Sequence, residues 1–138
     1  MSPTLPAALP IGQSVLLDVL RAGMTGVTVV SERPSDYVQR MPLVHARVIP
    51  GGRGIHPRFL FVVTVSVDAY APDAATAQGL AETARRVLVA AQLAQEVHAQ
   101  GVLNRVATTQ WPSESRDPDQ PSGLARYHAK YSLTIRRQ

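Results

Sequence analysis

Cysteine and long apolar runs are both absent from this chain of 138 residues. Without cysteine, the protein can form neither a disulfide nor a cysteine-containing zinc site, and it has no thiol nucleophile. The longest apolar runs, such as residues 59–63, fall far short of the roughly 20 residues of a membrane-spanning helix. No basic region precedes an apolar block at the N-terminus, so we expect a soluble protein without a secretion signal.

Acidic residues are few relative to basic ones, 10 against 14, and the net charge is +4. The excess lies in residues 124–138, which contain no acidic residue and the basic residues Arg126, Lys130, Arg136 and Arg137. A local basic strip can bind nucleic acid, although arginine-rich composition also follows from a GC-rich genome. Aromatic residues are only 5% of the chain, and single-strand binders interleave them with charge. Here Tyr127 and Tyr131 are expected on the opposite face of the last strand, which disfavours this function.

A long strand followed by a long helix forms the centre of the predicted fold. Every odd position from 59 to 69 is apolar, which is the pattern of one buried strand face. Apolar residues then recur at spacings of three and four between positions 77 and 91, the stripe of an amphipathic helix. Pro72 ends the strand, and Asp73 is placed to accept backbone N–H groups as the helix N-cap.

The rest of the chain predicts one more helix and four more strands. The helix occupies residues 11–22 and is expected to end in a left-handed cap at Gly23. Strands are predicted at 27–31, 43–49, 102–111 and 125–136, the last with a basic outer face. The predicted fold class is α+β, a two-layer domain over residues 11–138 with a mostly antiparallel sheet of four to five strands and two helices on one face. Residues 1–10, with three prolines, are predicted to be a flexible arm.

Two predicted loops and one strand end are the candidate contact surfaces. The loop at 50–58 is rich in glycine and proline, and the loop at 112–123 is long for a small domain. Residues 59–63 are apolar at every position, so both faces of the sheet need cover there. Another subunit can supply that cover, and so can the loop or the arm folding back. The candidate interface residues are Arg53, His56, Arg58, Phe59, Phe61, Trp111, Glu114, Asp117 and Asp119.

Catalytic patterns are scarce. The four histidines have no ligand spacing, no glycine-rich phosphate loop precedes a helix, and no G-x-S-x-G motif occurs, so we expect no metal, cofactor or catalytic residue. Asp68, the one acidic residue inside the long strand, could be a catalytic base, but we expect a solvated or arginine-paired residue. Trp111 could stack on a base, but a lone tryptophan at a strand end is more often an interface anchor.

The order of elements resembles that of tail terminator proteins, which cap the tail tube of long-tailed bacteriophages. The resemblance covers nearly the whole chain and rests on order and spacing, without an invariant signature. The segments that carry it are Glu32-Arg33-Pro34, Pro50-Gly51-Gly52, Asp68-Ala69-Tyr70-Ala71-Pro72, the alanine-rich helix at 74–91, the strand at 106–111, Asp117-Pro118-Asp119 and Ala125-Arg126-Tyr127.

This resemblance implies a virion protein of the tail or neck, assembled in the bacterial cytoplasm, with no catalysis and no cofactor. Six copies would form a ring that ends tube polymerisation and contacts the tail tube protein and a neck connector, while DNA passes through the lumen without being read. The alternatives are another connector or head-closure subunit, a basic nucleic-acid-binding module, or an enzyme of unknown type. For the interface hypothesis, Phe61→Glu should leave a folded subunit that cannot assemble.

Overall fold

The structure, a computed structural model, describes residues 12–56, 60–98, 101–116, 120–121 and 123–136. The predicted arm at 1–10 and the predicted contact residues Arg58, Phe59, Asp117 and Asp119 lie outside these residues. The described elements in chain order are helix α1 (Gly12–Gly23), strand β1 (Thr28–Val30), a 3-10 helix (Tyr37–Arg40), β2 (Leu43–His56), β3 (Leu60–Ala71), α2 (Ala74–Ala94), β4 (Val97–His98), β5 (Gly101–Glu114) and β6 (Ala125–Arg136).

The strands form one six-stranded sheet in the order β1-β2-β3-β6-β5-β4. Only β1 and β2 are parallel, and every other neighbouring pair is antiparallel. The predicted α+β fold class, with its mostly antiparallel sheet, is therefore confirmed. The two-residue strand β4 and the 3-10 helix were not predicted, because segments this short carry no periodic pattern.

Both helices cover the same face of the sheet, as predicted. The apolar stripe of α1, which includes Leu16 and Leu20, joins Leu88 of α2 in one buried cluster. The same cluster contains the alternating core residues of β3 and β6, such as Val65 and Leu133. Side chains on a strand alternate between faces, so the residues between these core positions form a second face, which we call the polar face.

Helix α2 begins as its sequence predicts. The Asp73 carboxylate accepts a hydrogen bond from the backbone N–H of Thr76 at 2.8 Å. Hydrogen bonds from Thr76 lower the pKa of Asp73. The helix continues to Ala94 and ends at Gln95, which has left-handed backbone angles (φ 49°). A polar residue can take a left-handed cap when local hydrogen bonds support it, and the Gln95 N–H bonds the Gln92 carbonyl at 3.1 Å.

Gly23 has a different role from the predicted one. Its backbone angle is not left-handed, since the described glycines with positive φ are Gly26, Gly101 and Gly123. A Cβ atom at Gly23 would lie 2.5 Å from Cγ1 of Val87. The glycine therefore permits close packing of α1 against α2, with no left-handed cap.

The prediction of a loop at 50–58 is wrong for residues 50–56, the part that the structure describes. Strand β2 continues to His56, and Arg53, Gly54 and His56 pair with β3 through register shifts after Ile49 and after Gly54. Bulges accommodate residues that interrupt a regular ladder, which explains how Pro50 and the glycines enter a strand. In the same way β5 continues past Trp111 to Glu114, so the predicted loop there begins later.

The polar face is covered at one end by the segment between β1 and β2. Tyr70 and Leu43 are buried there with Leu124, and Tyr37 and Met41 pack against them. This cover lies at the opposite end of β3 from residues 59–63, where the sequence predicted a need for it. At that predicted end, Leu60 and Val62 are half-buried among the described residues.

Candidate functional site

Three titratable side chains lie side by side on the polar face. His45 on β2 pairs in register with Asp68 on β3, and Asp68 pairs with His128 on β6. Two residues further along β3, on the same face, Tyr70 pairs with Arg126. Because neighbouring strands place paired residues on the same face about 5 Å apart, these groups form one polar cluster.

Asp68 is the centre of this cluster and is only 5% exposed. Its Oδ1 atom accepts hydrogen bonds from Nε of Arg126 at 3.1 Å and from Nδ1 of His128 at 2.6 Å. Nη2 of Arg126 also lies 3.0 Å from the same oxygen. The expectation of an arginine-paired residue is confirmed, and a solvated Asp68 is excluded. A buried carboxylate needs such partners, because removing it from water is costly.

His45 is held in one orientation. Its Nε2 lies 3.0 Å from the Ser31 carbonyl, which can only accept, so Nε2 carries a proton. Its Nδ1 therefore faces Asp68 Oδ2, at 3.9 Å. Burial lowers the pKa of His45 from its ordinary value of 6.5, and this effect outweighs the Ser31 hydrogen bond and the nearby Asp68 charge. His45 is therefore neutral at pH 7.

A cavity of about 340 Å³ opens beside the cluster. Arg33 lies against two aromatic rings, with its guanidinium carbon 4.6 Å from the centre of Tyr37 and 5.9 Å from that of Tyr70. It also donates to the Tyr70 hydroxyl at 3.4 Å, and burial is the main cause of the raised Tyr70 pKa. Among the described residues, those that line the cavity are Arg33, His45, Arg47, Asp68, Tyr70 and Arg126.

The cluster contains groups that can bind an anion. Its groups are guanidinium, imidazole, phenol and one engaged carboxylate, and none is an activated nucleophile. Among the described residues, no group of three or more histidine, cysteine or acidic side chains is arranged to hold a metal ion. No described helix is long and apolar enough to cross a bilayer.

The two long edge strands, β2 and β5, form a second candidate site. The short strand β1 covers β2 only as far as His45, and β4 covers β5 only as far as Val102. Beyond these points no described strand pairs with the outer side of either strand. Each edge strand therefore has a covered beginning and an open later part.

Glutamine side chains bind the backbone just beyond both covered parts. Gln13 of α1 donates to the Ala46 carbonyl and accepts the Val48 N–H, both at 2.8 Å. On the other edge, Gln92 of α2 accepts the Val106 N–H at 2.7 Å, and Gln95 donates to the Asn104 carbonyl at 3.2 Å. These hydrogen bonds occupy backbone N–H and carbonyl groups of β2 and β5 that would otherwise be free to pair with a further strand. The open parts are thus 49–56 on β2 and 107–114 on β5.

Exposed apolar side chains accompany the β5 edge. Leu93 at the end of α2 is 75% exposed, Val97 on β4 is 61% exposed, and Trp111 on β5 is 62% exposed. The Arg85 guanidinium of α2 lies 4.9 Å from the Trp111 ring centre, and Glu82 binds Arg85 at 2.6 Å. Trp111 lies on the open part of β5, whereas Val97 pairs with its covered beginning.

No family model and no curated protein matches the chain. The resemblance to tail terminator proteins therefore stays a prediction.

The structure separates the predicted contact residues. Arg53, His56 and Phe61 lie where β2 pairs with the beginning of β3, and Trp111 and Glu114 lie at the far end of β5. The two groups therefore flank opposite edges of the sheet. Their proposed role in an interface stays a prediction.

The cavity was not predicted from the sequence. Alternation along β6 correctly placed Arg126 and His128 on the outer face, and Asp68 on the polar face of β3. The sequence contains no signal for the register between β2, β3 and β6, and that register is what brings His45, Asp68 and His128 together.

Proposed function

We propose that this protein is a structural subunit that assembles head to tail into a ring. As in the tail terminator proteins that the sequence resembles, the ring would have six copies, cap a phage tail tube and join it to a neck connector. DNA would pass through the lumen without sequence-specific contacts. The observation that carries the proposal is that, within the described part of the chain, no strand pairs with the outer side of β2 or β5 along its later part.

Strand direction supports a continuous sheet between copies. Because β2–β3, β3–β6 and β6–β5 are all antiparallel pairs, β2 and β5 run in opposite directions. When a second copy is added by a head-to-tail operation, its β2 runs antiparallel to β5 of the first. Contacts between two different edges are heterologous, and they close into a ring when the rotation between copies permits.

The positions of the covered parts of β2 and β5 also support a stagger, that is, a shift of each copy along the strand direction relative to its neighbour. The beginning of β2 lies beside the end of β3, and the beginning of β5 lies beside the end of β6. The open parts therefore occupy diagonally opposite corners of the sheet. Pairing them shifts each copy along the strand direction relative to its neighbour, and a stagger of this kind is what closed sheets require.

Light scattering combined with native mass spectrometry of the full chain tests this proposal. We expect a single closed species of about six copies, visible as rings by negative-stain electron microscopy. An isologous dimer would contradict the proposal, because one edge would then pair with itself. A chain that stays monomeric at high concentration, and that forms no ring when tail tubes are added, would contradict the proposal as well.

Variants at the β5 edge make the test specific. Leu93→Glu with Trp111→Glu places two charges on the exposed apolar surface and should prevent ring closure without unfolding the subunit. Gln78→Glu, on an exposed position of α2, is the matched control and should assemble normally. If the double variant assembles like the control, the β5 edge is not the interface.

A nucleic-acid-binding module is the second candidate function. It is favoured by the polar face, where Arg47, Arg105 and Arg136 are exposed and Lys130 is half-buried. A monomer that binds duplex DNA with a steep salt dependence would support this function over the ring.

A further inference from the structure

We propose that three glutamine side chains, which we call the edge glutamines, fix the register in which one copy of the chain adds to the next. Gln13 binds the backbone of β2, and Gln92 and Gln95 bind the backbone of β5. The inference rests on the proposed ring for its partner, a second copy of this chain. It explains how copies that pair through strand edges meet at one position only.

The edge glutamines bind the two strands in the same pattern. On β2, the Gln13 amide donates to the carbonyl before Arg47 and accepts the N–H after it, both at 2.8 Å. On β5, Gln95 donates to the carbonyl before Arg105 at 3.2 Å, and Gln92 accepts the N–H after Arg105 at 2.7 Å. A residue of a parallel neighbouring strand makes this same pair of hydrogen bonds. The side-chain amides therefore take the place of a strand.

Each set of glutamine bonds lies directly beyond a short covering strand. β1 pairs with β2 as far as His45, and Gln13 binds the carbonyl of the next residue. β4 pairs with β5 as far as Val102, and Gln95 binds the carbonyl two residues later. The covering strand and the edge glutamines together occupy the first part of each edge. A strand from another copy must therefore pair beyond them.

Gln95 has a backbone conformation that indicates a role for its side chain. Its φ of 49° lies in the left-handed region, which is uncommon for a residue other than glycine or asparagine. The Gln95 side chain donates to the Gln92 carbonyl at 2.6 Å and to the Asn104 carbonyl at 3.2 Å. A glycine would fit the backbone but would leave the Asn104 carbonyl without this donor. The glutamine at the end of α2 is therefore explained by its contact with the β5 edge.

The register between copies decides whether an assembly closes. A strand that advances by two residues keeps its side chains on the same faces, so nothing in its alternation prevents that slip. Such a slip changes the stagger between copies by about 7 Å, since a strand rises roughly 3.3 Å per residue. Heterologous contacts form a ring only when the rotation between copies closes, and otherwise they continue as open filaments. By excluding slipped registers, the edge glutamines favour the ring over filaments.

Gln13→Met and Gln92→Met, made separately and together in the full chain, test the inference. Methionine is close to glutamine in length but lacks the amide that donates and accepts these hydrogen bonds. Exchange of the Val48 and Val106 amide hydrogens should become roughly tenfold faster, which shows that the bonds are lost. Native mass spectrometry and negative-stain electron microscopy should then show several masses or open filaments, where the native chain gives one closed species.

Glutamate variants and a surface variant are the controls. Gln92 acts on β5 as an acceptor, and a carboxylate also accepts, so Gln92→Glu should restore the single closed species. Gln13 must also donate to the Ala46 carbonyl, which a carboxylate cannot do, so Gln13→Glu should give mixed assemblies. Gln78→Met, at an exposed position of α2, should assemble like the native chain. Circular dichroism shows which variants are folded, and if the double variant is not, the single variants give the same comparison.

The outcomes separate this inference from the ring itself. If the native chain forms a ring and the folded methionine variants form the same single species despite faster exchange, the inference is overturned and the ring stands. If the native chain forms no ring, the ring is contradicted, but the methionine variants should still form larger assemblies than the native chain. Variants that match the native chain in that case overturn the inference too. Mixed assemblies of Gln78→Met would also overturn it, because the effect would then not depend on the edges.

Discussion

Asp68 and Arg126 form an ion pair between adjacent strands, with two guanidinium nitrogens 3.0 and 3.1 Å from one carboxylate oxygen. Both side chains are largely buried, 6% and 16% exposed. Removing one partner of such a pair leaves an uncompensated charge away from water, and that is more costly than the loss of the attraction itself.

Asp68→Asn should therefore destabilise the protein by about 3 kcal/mol. The matched control is Asp36→Asn, which breaks an exposed ion pair with Arg40. The side chain of Asp36 is 45% exposed and that of Arg40 is 51% exposed. That change should cost less than about 1 kcal/mol, since exposed ion pairs contribute little. Urea unfolding measures the free energy of unfolding of the two variants. Equal losses of stability would show that the buried pair contributes no more than the exposed pair.

The half-buried His45 should make the protein less stable in weak acid. Burial lowers its pKa below the ordinary value of 6.5, so in the window just below 6.5 the unfolded chain binds a proton that the folded chain does not. Stability due to this group is therefore complete above that window and declines as the pH falls through it. Asp68 on β3, Arg47 on β2 and Arg33 are the charged groups that act on His45.

His45→Gln tests this pH dependence, because an amide can still donate to the Ser31 carbonyl. Unfolding free energies at about pH 7.5 and about pH 5.5 should differ less for the variant than for the native chain. Equal differences would mean that His45 does not contribute to the acid sensitivity.

Gly23 and Gly79 should respond in opposite ways to alanine. A Cβ at Gly23 would lie 2.5 Å from Cγ1 of Val87, so Gly23→Ala should destabilise the protein by about 2 kcal/mol through overpacking. Gly79 lies within α2 with nothing within 4 Å of the added atom, and Gly79→Ala should stabilise by about 1 kcal/mol. Thermal melting compares the two. In the background of Val87→Ala the penalty at Gly23 should shrink, and a penalty that persists would point to a cause other than this contact.

The hydroxyl of Tyr131 has no hydrogen-bond partner within the described part of the chain, although the side chain is fully buried. Burial raises the pKa of Tyr131 to about 12. Because an unpaired buried hydroxyl costs free energy, Tyr131→Phe should stabilise the protein by about 1 kcal/mol. Tyr127→Phe, at a half-buried tyrosine on the same strand, is the control and should have a smaller effect. A loss of stability in Tyr131→Phe would show that the hydroxyl has a partner after all.

The amino-acid sequence by itself determined the two long elements around Pro72 and the alternation of β6, because helix and strand periodicity are local properties. It placed Asp68 and Arg126 on their strands, and it correctly assigned Tyr131 to the face opposite the charge. It misplaced the end of β2, since a bulged strand containing glycine and proline has the composition of a loop.

Only the tertiary structure decided which polar residues meet. Alternation fixes the face of a strand, whereas strand order and register depend on contacts between residues far apart in the chain, such as Asp68 and Arg126. The cavity and the two open edges follow from that order. Neither could be read from the sequence, because each is a relation between segments and not a property of any one of them.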